Sequence, residues 1–310
     1  MSLFDLIGPI LHAAVRSGTP LLLAATGEVF AERAGILNLG IEGMMLVGAL
    51  AGFLSSYLIS NIAVALLAAV VFGGLAAFIH AYLTVTLRSD QVVSGLAITL
   101  LGVGLTSFLG RGVIGQVAGG IEIYRVPGLS DIPVLGRILF QQDALVYASY
   151  AIIPLAWAVL YRTHLGLNIR AVGENPEAAD ALGVNVALVK YGCVILGGAL
   201  AGLAGAYLSL AYTTMWVDQM SAGRGWIALA LVVFSGWNPL MVAAGAYLFG
   251  GMEALQLRMQ AVGTGISVHF LTMTPYLVTI LFLVNASQRR RKSRPPASLG
   301  VPYFREERRS

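Results

Sequence analysis

The chain has 310 residues, of which 57% are hydrophobic and 11% charged, with a formal net charge of +4 and a mean hydropathy of +0.81. So little polar surface cannot cover a soluble globule of this length, so the composition excludes a soluble fold and reads as an integral membrane protein. The single cysteine, Cys193, lies in an apolar span; it rules out an intrachain disulfide, offers no metal cluster or redox chemistry, and reads as a small packing residue.

A helix needs about 20 apolar residues to cross a hydrocarbon core. Runs of that kind fall at 6–26, 36–58, 62–87, 91–110, 143–161, 191–212, 226–257 and 267–286. They predict an all-α, polytopic transmembrane bundle of roughly eight to ten helices, some of them discontinuous. The first run has no basic leader and contains Pro9, Arg16 and Pro20, so it is expected to be retained rather than cleaved as a signal peptide. It leads without a clear loop into Glu32-Arg-Ala-Gly-Ile-Leu-Asn-Leu-Gly-Ile-Glu-Gly-Met-Met45, where charges abut an unbroken apolar segment. Each ionisable group at membrane depth costs about 3 kcal/mol or more, so a functional role is the first reading, and an interfacial loop with snorkelling Glu32 and Arg33 is the second. Asn38 and Glu42, four residues apart, are expected on one helical face turned into the protein.

Gly48-Ala-Leu-Ala-Gly-Phe-Leu-Ser-Ser-Tyr-Leu58 matches Gly198-Ala-Leu-Ala-Gly-Leu-Ala-Gly-Ala-Tyr-Leu208 at seven of eleven positions. This is a candidate internal repeat, against which stands the abundance of Gly, Ala and Leu; both copies carry a small-xxx-small pattern that lets helices approach closely. Residues 111–142, with Asp143 at their edge, balance Arg111, Arg125 and Arg137 against Glu122, Asp131 and Asp143 and contain Gly119-Gly120, Pro127-Gly128 and Pro133. They predict a turn-rich external loop that meets an outside partner. Residues 162–190 carry Arg162, Arg170 and Lys190 and are expected to face the cytoplasm. Within them Asn175 can cap a short helix, Pro176 suits its first position, Glu177 and Asp180 favour its positive end, and Gly183 can stop it. Barely two turns long, such a helix must dock on something, whether a partner or its own protein's surface.

The run 226–257 is interrupted by Gly236-Trp-Asn-Pro239, which predicts a broken or re-entrant helix. Trp226 and Trp237 are candidate interfacial anchors. After the last run, Arg289, Arg290, Arg291, Lys292 and Arg294 form a block that fixes a cytoplasmic end and touches anionic lipid rather than nucleic acid. The expected organisation is a membrane domain over 1–287 and a basic cytoplasmic tail over 288–310.

Glu177-Ala-Ala-Asp-Ala-Leu-Gly183 resembles the EAA-three residues-Gly signature of permease subunits in ABC importers, whose loop forms a coupling helix seated in a cleft of the ATPase. The segment Glu32 to Met45, with Gly48, Gly225-Trp-Ile-Ala-Leu-Ala230 and Gly236-Trp-Asn-Pro239, resembles the branched-chain amino acid and simple-sugar permease family, in the branch paired with basic-membrane-protein lipoproteins that imports nucleosides. The resemblance spans nearly the whole chain. It implies a multi-pass protein of the bacterial plasma membrane that translocates a small polar solute, a nucleoside before a simple sugar or branched-chain amino acid. It further implies a cytoplasmic ABC ATPase subunit, a second permease subunit in a heterodimer, an external binding lipoprotein or periplasmic protein, and no cofactor. Asn175, Pro176, Glu177, Ala178, Ala179 and Gly183 would then couple to the ATPase.

The chain carries no phosphate-binding Gly-x-x-x-x-Gly-Lys-Ser/Thr motif, so ATP hydrolysis is expected on another polypeptide. An ion-driven carrier, with Glu28, Glu42 and Glu253 as proton or sodium sites, shares that absence but has no evident use for a coupling helix. An intramembrane serine protease built on Ser94 or Ser235 with His80 or His269 is poorly supported, because Val92 and Val233 stand where the nucleophile motif wants glycine; these histidines read as helix-end or packing residues. Asn38, Glu42, Gln91, Ser94 and Asn238, polar side chains in apolar spans, are the candidates lining a translocation path, or else interhelical hydrogen bonders worth about 1 kcal/mol each.

Overall fold

The structure is a computed structural model that describes residues 3–133, 135–262 and 294–304, with isolated positions between 267 and 277. Most of the expected span 267–286 and the basic residues 289–292 lie outside the described residues. The helices are α1 (Leu3–Arg33), α2 (Ile41–Ile59), α3 (Ile62–Ala81), α4 (Gln91–Gly110), α5 (Leu135–Leu139), α6 (Ala144–Arg162), α7 (His164–Glu174), α8 (Pro176–Ala181), α9 (Val186–Tyr207), α10 (Arg224–Phe234) and α11 (Pro239–Val262). Among the described residues, six helices are long and apolar enough to cross a membrane: α2, α3, α4, α6, α9 and α11, with α3 and α9 each prolonged by a π turn. Helices suit that medium because they satisfy their backbone groups internally where no water is available. Leu67, Phe72, Leu100 and Phe108 project outward from α3 and α4, as lipid-facing side chains do.

Polar residues between the apolar runs fix where helices begin. Side-chain oxygens of Asn61, Asp90, Asp143, Thr163, Asn175 and Asn185 each accept from a backbone N–H in the first turn of α3, α4, α6, α7, α8 and α9. Three glycines fix where helices stop by one shared geometry. After α1, Gly35 adopts φ +84, and the N–H groups of Gly35 and Ile36 donate to Glu32 and Ala31. Gly183 after α8 and Gly236 after α10 repeat both the left-handed φ and the paired bonds, from Gly183 and Val184 to Asp180 and Ala179, and from Gly236 and Trp237 to Val233 and Val232.

The first of these stops changes one expectation. Because Gly35 terminates α1 and α2 starts only at Ile41, Asn38 sits in a non-helical link while Glu42 opens a helix, so the two do not share a helical face. Residues 111–143 depart from the all-helical pattern through a small antiparallel pair, β1 (Ile123–Arg125) with β2 (Gln141–Asp143), register Ile123 to Asp143.

The bundle is organised around α9, whose glycine face meets three neighbours. A Cβ added at Gly202 would strike the backbone of Ala69 on α3, at Gly205 that of Met45 and Ala49 on α2, and at Gly27 that of Gly197 on α9. The two echoed segments therefore meet each other, Gly48 of α2 lying on Gly202 of α9. Cys193 is buried on the same helix. Gly202→Leu is expected to destabilise the bundle by about 3 kcal/mol through overpacking, read as a lowered melting temperature of the detergent-solubilised protein; an unchanged melting temperature would refute the close α3–α9 approach.

Candidate functional site

Polar chemistry inside the bundle collects at the two helix breaks. At the first, the link 34–40 lies against α1, α3 and α4, whose side chains hold its backbone. Gln91 Oε1 accepts from Leu37 N at 2.7 Å, Thr99 Oγ1 donates to Leu39 O at 2.9 Å, and Glu28 Oε1 accepts from Asn38 N at 3.1 Å. Ser94 Oγ lies 3.0 Å from His80 Nδ1, and the other ring nitrogen of His80 lies 3.3 Å from Leu37 O. The Asn38 side chain turns onto Gly40 N at 3.0 Å and toward Met44 Sδ at 3.5 Å. All of these side chains are buried. The Ser94–His80 pair has the look of a nucleophile and base, but it is sealed from solvent and spends its second nitrogen on the link, so it packs rather than reacts.

Asn38, Gln91 and Ser94, three of the five path candidates, thus converge on one break. Glu42 lies at a helix start instead. It accepts from Ser221 Oγ at 2.5 Å, Gly223 N at 2.8 Å and Gly225 N at 2.6 Å, so its carboxylate caps the N-terminus of α10, where backbone N–H groups and the helix dipole favour an anion. Asn238 is half-buried at the second break, accepting from Leu240 N at 3.0 Å at the start of α11.

The second break, 235–238, is held by the end of α1. Glu32 Oε2 accepts from Trp237 Nε1 at 2.5 Å, while Arg33 donates to the carbonyls of Trp237 and Gly236 at 3.3 and 3.2 Å and to Tyr161 Oη at 3.1 Å. Glu32 is buried and does not snorkel, and Trp237 is only 4% exposed with its indole N–H committed to Glu32, which removes it as an interfacial anchor. Trp226 is 37% exposed. Of the acids an ion-driven carrier would use, Glu253 is taken by an ion pair with Arg224 and a bond from Ser17 Oγ at 2.7 Å, and Glu42 by its three donors.

Segments 111–143 and 162–190 lie at opposite ends of α6. At the second end, Asn175 Oδ1 accepts from Ala178 N at 2.9 Å, Pro176 occupies the first position of α8, and Gly183 ends it, as the residue types predict. Asn175, Glu177, Ala178 and Gly183 are exposed. Ala179 is not available to a partner: at 2% exposure it packs inward against Val172 and Val186, because a helix this short has one inner face and Ala179 is on it. Leu182, 86% exposed beside Gly183, completes the outer face. Its only sequence signal was an apolar residue directly before a helix-stopping glycine.

Two relatives align over nearly their whole lengths. The protein assigned as the glucose ABC transporter permease protein TsgC13 of Haloferax volcanii is 43% identical over 96% of this chain and 98% of its own. The guanosine ABC transporter permease protein NupQ of Bacillus subtilis is 34% identical over 99% and 100%; that organism's guanosine ABC transporter permease protein NupP is also similar, at 26% over 79% and 73%. Among solved structures, a metal-chelate-type ABC transporter in an inward-facing conformation shares the fold, with a TM-score of 0.51 over 91% of this chain and 85% of that one at 14% identity. With the model of the branched-chain amino acid transport system permease component matching residues 10–284, and six helices among the described residues long and apolar enough to cross a membrane, the chain is a multi-pass member of that permease family.

Proposed function

We propose that this permease moves a nucleoside across the bacterial plasma membrane by alternating access, driven by a separate cytoplasmic ABC ATPase that grips α8. The observation that carries the coupling role is the exposed outer face of α8, with Glu177, Ala178, Leu182 and Gly183 on a helix capped at both ends. A rigid lever of this kind transmits a partner's movement, whereas a loop would absorb it. Asn175 and Pro176 set its first turn, and Ala179 seats it on Val172 and Val186.

In this reading residues 162–190 are cytoplasmic, residues 111–142 meet an external binding protein, and a second, non-identical permease subunit completes the path, a division supported by the existence of both NupQ and NupP. The first break, with Asn38, Gln91 and Ser94, is the part of the path that moves; Glu42 holds the start of α10, and Asn238 holds the start of α11 at the second break. Nucleoside is favoured by the likeness to NupQ, and glucose is the second reading because of the likeness to TsgC13.

The test is affinity purification of the chain from its native membrane followed by reconstitution in proteoliposomes. An ATPase subunit should co-purify, and labelled guanosine, not glucose, should accumulate only when ATP and the external binding protein are present. Uptake driven by an ion gradient without ATP would overturn the reading. The chain purified away from all partners should show no ATPase activity.

A further inference from the structure

Residues 294–304 are folded onto the α8 region. Ser298 N donates to Gly173 O at 2.9 Å, and the Ser298 hydroxyl lies 2.7 Å from the same carbonyl and 3.2 Å from Val172 O. The segment turns on itself through Leu299 N to Pro296 O and Val301 N to Ser298 O, both 3.1 Å, with Gly300 at φ +79. Three backbones meet here at van der Waals distance. A Cβ on Gly173 would strike the Arg33 carbonyl and then Pro296, and one on Gly35 would strike Ser298 Oγ. Gly35 and Gly173 are therefore required by close approach, one at the stop of α1 and one just before α8.

Further along, Tyr303 packs onto the Val172, Ala179 and Val186 cluster beneath α8. Lys190 Nζ stands 6.0 Å from the Tyr303 ring, and Arg88 Cζ 4.7 Å from the Phe304 ring, joining the segment to α9 and to the turn before α4. A cavity of about 140 Å³ at this junction is lined by Asp180, Lys190, Tyr303 and also Gln91, the residue that holds Leu37 of the first break.

A six-residue helix cannot hold its own position, since isolated helices below about 12 residues are unstable in water. Its inner face offers Ala179 as the one buried side chain. We infer that residues 294–304 form a strap that positions α8 and fastens it to the first break, so that displacement of α8 reaches the link 34–40 rather than being lost in loop movement. The strap rests on the coupling role proposed above. It is a positioning segment: it touches Gly173, Gly35 and Ala179, and its action is through them.

The test compares three chains in complex with their co-purifying ATPase in proteoliposomes: wild type, a chain truncated after Ser293, and the full-length Ser298→Ala/Tyr303→Ala pair, which keeps the test intact should truncation lower membrane yield. Guanosine uptake and ATP hydrolysis are both recorded. The strap predicts that both variants retain the ATPase in normal ratio and still hydrolyse ATP, while guanosine accumulated per ATP falls about tenfold. Wild-type uptake per ATP in both variants overturns the strap alone. Loss of ATPase co-purification in either variant also overturns it, because the segment would then be a docking surface rather than a positioning one. If the wild-type complex itself shows no ATP-driven guanosine uptake, the functional reading fails first, an outcome separate from any difference between variants.

Discussion

Gly183→Val is expected to abolish uptake, by tenfold or more, while leaving insertion and abundance in the membrane unchanged. Gly183 holds φ +86 at the stop of α8, where a residue with a Cβ pays about 1–2 kcal/mol and a β-branched one more. A Cβ there meets nothing within 4 Å of its own chain, so there is no internal clash to unfold the bundle. The strain falls on the two bonds that close the helix, Gly183 N to Asp180 O and Val184 N to Ala179 O, and the added bulk falls on the surface offered to the ATPase. Gly183→Asn, which tolerates the left-handed region better, should recover part of the uptake. Wild-type uptake by the valine variant, with normal ATPase capture, would remove α8 as the coupling element.

The second large effect concerns Glu42, where a path residue and a helix cap predict opposite patterns. Glu42→Ala strips partners from Ser221 Oγ, Gly223 N and Gly225 N at a buried helix start. Unsatisfied buried donors cost about 1–3 kcal/mol each, so a loss of roughly 4 kcal/mol in stability is expected after partial relaxation. It should appear as a lowered melting temperature in detergent and as faster amide exchange across α10. Glu42→Gln keeps one acceptor but loses the charge at the helix N-terminus, and should fall between. Unchanged stability with altered solute affinity would return Glu42 to the path.

The membrane class and the helical character of most spans were legible because they depend on local properties, apolar length, capping residues and glycine stops, while the family was legible through the motifs that carry the resemblance. Asn175, Pro176 and Gly183 act at the positions their types dictate, since caps and left-handed stops are set by residues within one turn. Gly236-Trp-Asn-Pro239 breaks its helix as read, by the same local rules.

What local rules could not supply is which element each polar group serves. Glu42 reaches Gly225 across a sequence separation of 183, and Trp237 reaches Glu32 across 205. A carboxylate facing solute and one capping a distant helix have the same sequence appearance in an apolar run. Asn38 and Glu42 were placed on one face by their spacing, an inference that fails when a glycine between α1 and α2 ends the helical period. Ala179 turned inward for a related reason: a two-turn helix has an inner face only relative to what lies beneath it, here Val172, Val186 and the returning Tyr303. The sequence by itself determined a membrane-spanning helical protein with a capped helix outside its spans, because those features follow from hydrophobic length and backbone chemistry, and its motifs carried the resemblance to permeases. Only the tertiary structure decided that α1 holds both breaks and that residues 294–304 lie under α8, because long-range packing selects one partner from many chemically equivalent polar groups.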